Sequence, residues 1–243
     1  MALFKRKTTK LDNYSLKNGV GLVTYDDPTS TISEQFNTIR TNIQFSSVDK
    51  KLNSILFTSS ATCEGKSTVS NNVAVTWAKQ GETVVLVDAD LRRPTIHKTF
   101  NVSNRVGLSS YLLGNASFED VVQPTMVKNL FVITSGPIPP NPSELLGSMR
   151  NKDLINRLED KFGLLIMDAP PANPVTDAQV LATQVDGVVM VVPQGIAEKA
   201  GVAHAKQLLD TVHANILGVI MNRVTKEKSQ GYYGGYYGAE KEK

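Results

Sequence analysis

The stretch SILFTSSATCEGKST, residues 54–68, decides how the rest of the chain is read. Residues 54–58 form a short apolar run, and a brief loop then delivers Gly65-Lys66-Ser67. A continuous apolar run is expected of a strand covered on both faces. A glycine, a lysine and a hydroxyl residue opening a helix directly behind such a strand make a phosphate-binding loop. The loop and helix N-terminus aim backbone N–H groups at phosphate oxygens, and the helix dipole favours negative charge there. Lys66 would reach the β- and γ-phosphates, and Ser67 would ligate Mg²⁺. The first glycine of the generic pattern is Ser60 here, so the triplet needs support from elsewhere in the chain.

Outward from this loop the same rhythm continues. Apolar runs at 83–87, 130–134, 164–167, 187–192 and 216–221 alternate with helical candidates at 66–79, 143–161, 175–182 and 197–211. Upstream, Ile32, Phe36, Ile39 and Ile43 fall on one face of a helix over 32–45. Strand-then-helix repetition predicts an α/β fold, a doubly wound and mostly parallel sheet of P-loop NTPase type. Residues 1–28 are polar and lack sustained periodicity, which reads as a flexible arm. Residues 29–224 form the domain. Residues 225–243 carry Lys, Glu, Gly and Tyr without a core pattern, which reads as a disordered, tyrosine-rich tail.

Composition narrows the functional classes. Twenty-six basic against 23 acidic residues leave a net charge of +3 over 243 residues, too small an excess to argue for nucleic acid. A single cysteine closes no intramolecular disulfide, which suits a reducing cytoplasm. The longest uncharged run, 129–143, carries Pro137, Pro139, Pro140 and Pro142, so no membrane span is expected. His97, His204 and His213 lack metal-ligand spacing. Lys5, Arg6, Lys7 and Lys10 read as a solvated basic arm, with contact to an acidic surface as the alternative.

Three acids strengthen the phosphate-site reading. The run 83–87 ends in Asp88-Ala89-Asp90-Leu91-Arg92-Arg93-Pro94, and the run 164–167 ends in Asp168-Ala169-Pro170-Pro171. Carboxylates at the carboxyl ends of parallel strands lie where doubly wound sheets bind ligands. An acid closing an apolar strand is also the Walker B arrangement that holds Mg²⁺.

The loop, the 87–94 block and the Asp168 strand together resemble the bacterial tyrosine kinases, P-loop proteins of the MinD/ParA-like group. The resemblance extends to Asn141-Pro142-Ser143-Glu144-Leu145-Leu146, to the Arg40-Thr41-Asn42-Ile43 helix and to the tyrosine-rich C-terminus. It is strongest to the stand-alone cytoplasmic kinase subunit of Gram-positive capsule and exopolysaccharide systems. It implies ATP and Mg²⁺ as ligands, with Thr62, Cys63, Glu64, Gly65, Lys66, Ser67 and Thr68 around the phosphates and Asn222 and Arg223 near the adenine. By the same resemblance Asp88 is the base, while Ser67, Asp90 and Asp168 hold the metal directly or through water. It further implies a transmembrane activator (a polysaccharide co-polymerase chain), a homo-oligomer that can be a ring, and a counteracting tyrosine phosphatase. Location would be cytoplasmic, at the inner face of the membrane through the partner. The residues alone do not distinguish Asp88 from Asp90 as base.

Two positions depart from that pattern. Cys63 stands where the family has glycine; if the position requires φ > 0, a Cβ costs about 1 kcal/mol. A tolerated substitution and a redox-sensitive thiol are the two readings. Asn37 replaces an arginine in the Glu34-x-x-Asn37-x-x-Arg40 helix, which the resemblance implicates in subunit contacts. Arg92 and Arg93 are candidates for phosphate or substrate contact and equally for a solvated or interface role.

Tyr232, Tyr233, Tyr236 and Tyr237 are four of the protein's seven tyrosines and sit among glycines. Core packing does not explain them; phosphorylation of an extended, flexible segment does, with a sticky low-complexity tail as the alternative. Residues 225–232 span roughly 28 Å at most, which leaves transfer within or between subunits open. Modified tyrosines would repel one another and disfavour a ring. Two rival functions use the same residues: a MinD/ParA-like ATPase with water as nucleophile, and a non-catalytic, nucleotide-bound assembly adaptor.

Overall fold

A computed structural model describes residues 14–47 and 51–224. The tail residues Tyr232, Tyr233, Tyr236 and Tyr237 lie outside the described residues, as do Lys5, Arg6, Lys7 and Lys10. The strands are β1 (Ser54–Ser59), β2 (Val84–Asp88), β3 (Val122–Pro124), β4 (Leu130–Ile133), β5 (Leu164–Asp168), β6 (Gly187–Pro193) and β7 (Ile216–Asn222). They form one sheet in the order β3-β4-β2-β5-β1-β6-β7. β3 runs antiparallel to β4, and every other pairing is parallel. The helices are α1 (Tyr14–Asn18), α2 (Val23–Asp26), α3 (Thr31–Phe45), α4 (Lys66–Lys79), α5 (Ile96–Thr99), α6 (Leu108–Leu112), α7 (Phe118–Val121), α8 (Pro142–Leu146), α9 (Met149–Lys161), α10 (Asp177–Ala182) and α11 (Lys199–Thr211).

Both faces of the sheet are covered, which is why the central strands read as unbroken apolar runs. Ile55, Phe57, Val84, Leu86, Leu164 and Ile166 point to the face packed by α3 and α4. Leu56, Val85, Val87, Leu165 and Met167 point to the opposite face, under α6 and α8–α11. The three strands that carry the phosphate loop, Asp88 and Asp168 are neighbours at the middle of the sheet, in the order β2-β5-β1. Asp88 is the register partner of Asp168, and Asp168 that of Phe57. Adjacent strands lie about 4.8 Å apart, so this pairing brings two carboxylates to one point at the sheet's carboxyl edge.

Three expectations require correction, and one strand is additional. The flexible arm does not extend to residue 28, because residues 14–28 form α1 and α2 and dock on α4 and α5. Leu22 is buried, Thr24 N–H and Oγ1 donate to Asn72 Oδ1 at 3.0 and 2.9 Å, and Asn72 Nδ2 donates to Gly21 O at 2.9 Å. Helices of four and five residues are too short to show a period. Second, residues 143–161 are not one helix: α8 stops at Gly147, and Ser148 leaves the helical region (φ −71°, ψ 154°) with its side chain accepting from Asn151 N to open α9. Third, the buried face of α3 is Ser33, Phe36, Arg40 and Ile43, and Ile32 is 52% exposed. Last, the short antiparallel β3 has no counterpart in the sequence pattern.

Candidate nucleotide and phosphotransfer site

The loop between β1 and α4 is shaped by its own acid. Glu64 is buried, and its carboxylate accepts from Ser60 N at 2.8 Å, Ala61 N at 2.9 Å and Ser60 Oγ at 2.9 Å. Ser60, which replaces the glycine of the generic motif, thereby supplies a second donor to the clasp. Because the Glu64 carboxylate is engaged in this way, only its backbone remains to face a phosphate. Cys63 lies in the left-handed region at φ 62° and Gly65 at φ 95°. A Cβ on Gly65 would lie 2.1 Å from Asn222 Nδ2, so any larger residue would have to displace that side chain as well as adopt the left-handed conformation. Asn222 Nδ2 donates to Glu64 O at 3.0 Å and Arg223 Nη2 to Cys63 O at 3.1 Å. The end of β7 is therefore bonded to the loop backbone.

Lys66 opens α4 and turns its ammonium onto the acids. Nζ lies 2.9 Å from Asp90 Oδ2 and 3.6 Å from Asp168 Oδ1, and donates to Ser67 Oγ at 3.3 Å. Burial opposes the charge on Lys66, but the carboxylates of Asp168 and Asp90 outweigh it and hold the ammonium above its ordinary range. Burial would likewise raise Asp90, yet Lys66 and the N–H groups of Arg93 and Arg92 hold it below the usual carboxylate range. Asp168 is raised, because burial prevails over Lys66. Asp88 is pushed up to about 8 by burial and the neighbouring Asp168, against hydrogen bonding from Ile96 N. Its Oδ2 accepts from Thr95 N at 3.0 Å and Ile96 N at 2.9 Å, while Oδ1 is buried without a hydrogen-bond partner among the described residues. Lys66 and Ser67 face the Asp168 carboxylate, with Lys66 Nζ at 3.6 Å from Oδ1.

The candidate residues thus converge. Lys66, Ser67, Asp90 and Asp168 meet at one ammonium, with Asp88 paired to Asp168 in the sheet register. Thr62, Cys63, Gly65, Thr68 and Arg223 line the cleft in front of them. The donor set suits a cation: the lysine ammonium stands among Ser67, Asp90 and Asp168, the residues expected to take Mg²⁺. Among the described residues no three His, Cys, Asp or Glu side chains form a metal cage of their own. Mg²⁺ ordinarily relies on one or two carboxylates, retained waters and substrate phosphates rather than on such a cage.

Several contacts were beyond sequence reasoning. Arg92 Nε and Nη2 donate to Asp177 at 2.9 and 3.1 Å, Ser143 Oγ also donates to Asp177, and the Asp177 side chain is fully buried. Arg93 N donates to Asp90 Oδ1 at 3.0 Å, so this clamp sits on the loop that orients Asp90. Ser15, Leu16 and Val20 form a wall of the cleft that the arm reading did not anticipate. In α3, Asn37 bridges Glu34 Oε1 at 3.2 Å and Arg40 Nη1 at 3.4 Å, and Arg40 reaches Thr76 O at 3.2 Å. No described helix is long and apolar enough to cross a membrane.

Known proteins resemble this chain in sequence and fold. The ParA family, described as "NUBPL iron-transfer P-loop NTPase", matches residues 51–232. Tyrosine-protein kinase YwqD of Bacillus subtilis (strain 168) is 44% identical over 236 residues, spanning 96% of this chain and 97% of that protein. The crystal structure of the chimerical protein CapA2B2 superposes with a TM-score of 0.82 at 42% identity, over 84% of this chain and 90% of that one. The kinase domain of Escherichia coli tyrosine kinase ETK gives 0.82 at 35% identity, over 89% and 85%. With a phosphate loop, an in-register acid pair and relatives matched over nearly their whole length, the chain belongs to the bacterial tyrosine-protein kinases of the ParA-like P-loop group.

Proposed function

We propose that this chain is an ATP-dependent protein tyrosine autokinase that transfers the γ-phosphoryl group to Tyr232, Tyr233, Tyr236 and Tyr237 of its C-terminal segment. The observation that carries the reading is the Lys66 ammonium held at Asp90, Asp168 and Ser67, beside the in-register Asp88. Backbone N–H groups of 62–68 and Lys66 bind the phosphates, and Asn222 and Arg223 close the loop on the nucleotide side. Ser67, Asp90 and Asp168 would hold Mg²⁺, directly or through water, and the ion would supply neutralisation of phosphate charge.

A phenol has a pKa near 10, so its proton needs an acceptor as the new O–P bond forms. Asp88 takes that role, with its Oδ2 fixed by the N–H groups of Thr95 and Ile96. The Glu64 clasp and the Arg92–Asp177 clamp hold the two loops so that positioning, rather than new covalent chemistry, lowers the barrier.

We assign residues 14–224 to the kinase domain and 225–243 to its substrate segment. Regulation of capsular or exopolysaccharide synthesis and export, recruitment to the inner membrane face by a transmembrane activator chain, ring-like homo-oligomers and reversal by a tyrosine phosphatase complete the proposal. The experiment incubates purified protein with labelled ATP and Mg²⁺, with and without a cytoplasmic activator fragment. Phosphotyrosine that disappears in Lys66→Ala and in the tail Tyr→Phe variant is the expected result. Release of free phosphate without protein label would instead indicate an ATPase, and neither product would indicate an adaptor.

A further inference from the structure

A tyrosine outside the tail adjoins in sequence two residues that line the same cleft. Tyr14 opens α1, and the two residues behind it, Ser15 and Leu16, line the cleft together with Lys66, Ser67 and Asp90. Tyr14 is 66% exposed. None of the five residues of α1 is buried. Contacts that hold the helix include Asn18 Nδ2 to Tyr14 O at 3.3 Å, Gly19 N to Ser15 O at 2.9 Å, and Lys98 Nζ to Leu16 O. A five-residue helix is far shorter than one that is stable alone, so α1 depends on the contacts around it.

The base of this segment is firm. Gly19 adopts φ +78°, and a Cβ there would lie 2.5 Å from Thr99 N. Val20 N donates to Thr99 Oγ1 at 3.0 Å, and Leu22 and Thr24 anchor the chain on its C-terminal side. Unwinding α1 about this pivot raises the advance per residue from about 1.5 to about 3.3 Å, a gain of roughly 9 Å over five residues. The other described tyrosines adjoin no residue of the cleft: Tyr25 lies under Lys79 and Tyr111 under Arg150.

On these grounds, and resting on the kinase reading above, we infer that Tyr14 is a second autophosphorylation site, modified in cis by the cleft that its own helix lines. The phenolic oxygen bonds to the γ-phosphorus of ATP as the bond from that phosphorus to the β–γ bridging oxygen breaks. ADP leaves with the electron pair, and the phenolic proton passes to the Asp88 carboxylate. The product carries about −1.5 to −2 charges. Lys17 in the same helix and Lys98, already bonded to the α1 backbone, are the cations that meet it.

The test uses the full chain with all four tail tyrosines changed to Phe, incubated with Mg-ATP beside the wild type, and maps phosphotyrosine by mass spectrometry. Phosphate is expected on Tyr14 and not on Tyr25 or Tyr111. It should be lost in an added Tyr14→Phe and in Lys66→Ala. The rate constant for its appearance should not change on serial dilution, and Lys66→Ala protein mixed with active protein should stay unlabelled at Tyr14. A wild type labelled on its tail but not on Tyr14 overturns this inference alone. Label at Tyr14 that slows on dilution or appears on the Lys66→Ala protein overturns the cis assignment. A wild type with no phosphotyrosine anywhere overturns the kinase reading and this inference with it.

Discussion

Removing either half of the Arg92–Asp177 pair should have unequal consequences, because the partners are unequally buried. The Arg92 side chain is 39% exposed and that of Asp177 is 0% exposed. Arg92→Ala leaves a carboxylate inside the protein with Ser143 Oγ as its remaining side-chain donor on this face. Stranding one member of a buried pair costs about 3–5 kcal/mol. Asp177→Asn removes the charge but keeps a carbonyl that can accept one of the two Arg92 hydrogen bonds, and the freed guanidinium can turn toward water; that loss is about 1–2 kcal/mol. For a chain of this size each kcal/mol moves Tm by about 2–4 °C. Arg92→Ala should therefore lower Tm by roughly 6–20 °C and Asp177→Asn by roughly 2–8 °C. The double variant, with no buried charge left over, should lose less than the two single losses together. Thermal unfolding followed by fluorescence of Trp77, the protein's single tryptophan and a buried residue of α4, measures all three. Because the clamp sits on the loop that orients Asp90, both single variants should also slow phosphotransfer. Equal losses, a larger loss for Asp177→Asn, or strict additivity would refute the reasoning.

Lys66→Ala should reduce phosphotransfer at least a hundredfold. It should also destabilise the nucleotide-free protein near neutrality, since Asp90 and Asp168 lose their counter-ion, with Tm recovering as the pH is lowered and the carboxylates protonate; thermal melts across pH check this. In the nucleotide-free protein, burial and the neighbouring Asp168 raise Asp88 to about 8. Its folded pKa exceeds its unfolded value near 3.9, so the folded state holds the extra proton and Asp88's contribution to stability is lost as pH rises from about 4 to about 8. Asp88→Asn should abolish transfer and remove that part of the decline, which paired Tm–pH curves would show. Cys63→Gly relieves a left-handed side chain and should stabilise the loop by about 1 kcal/mol. Melting of the nucleotide-free protein and nucleotide titration measure it, and an unchanged Tm would count against strain at this position.

The parts legible in the sequence were those governed by repeating or strongly local chemistry. Apolar runs such as 83–87 and 164–167 are strands because both sheet faces are covered, and the acids that end them reach one edge because parallel strands share a direction. Positive φ at residue 63 was foreseeable from the glycine that the family carries there. The clasp of Glu64 on Ser60 and Ala61 was not foreseeable, since a carboxylate folding back on its own loop leaves no periodic mark. Asp177 was hidden for a different reason: 85 residues separate it from Arg92, and only the closed fold makes them neighbours. The α1–α2 segment escaped notice because its attachment depends on single contacts, Thr24 on Asn72 and Val20 on Thr99, rather than on a stripe. Asn37, unpromising as a departure, turns out to link Glu34 and Arg40 along one helix face.

Asn222 and Arg223 grip the carbonyls of Glu64 and Cys63, and one residue later the chain passes into the segment that holds the tail tyrosines. Traction on that segment, as when its far end is captured by another molecule, would therefore be transmitted to the phosphate loop within a single hydrogen bond. The same strand end serves as a tether for the tyrosines and as a latch for the loop, so mechanical load and nucleotide grip are tied together at one point.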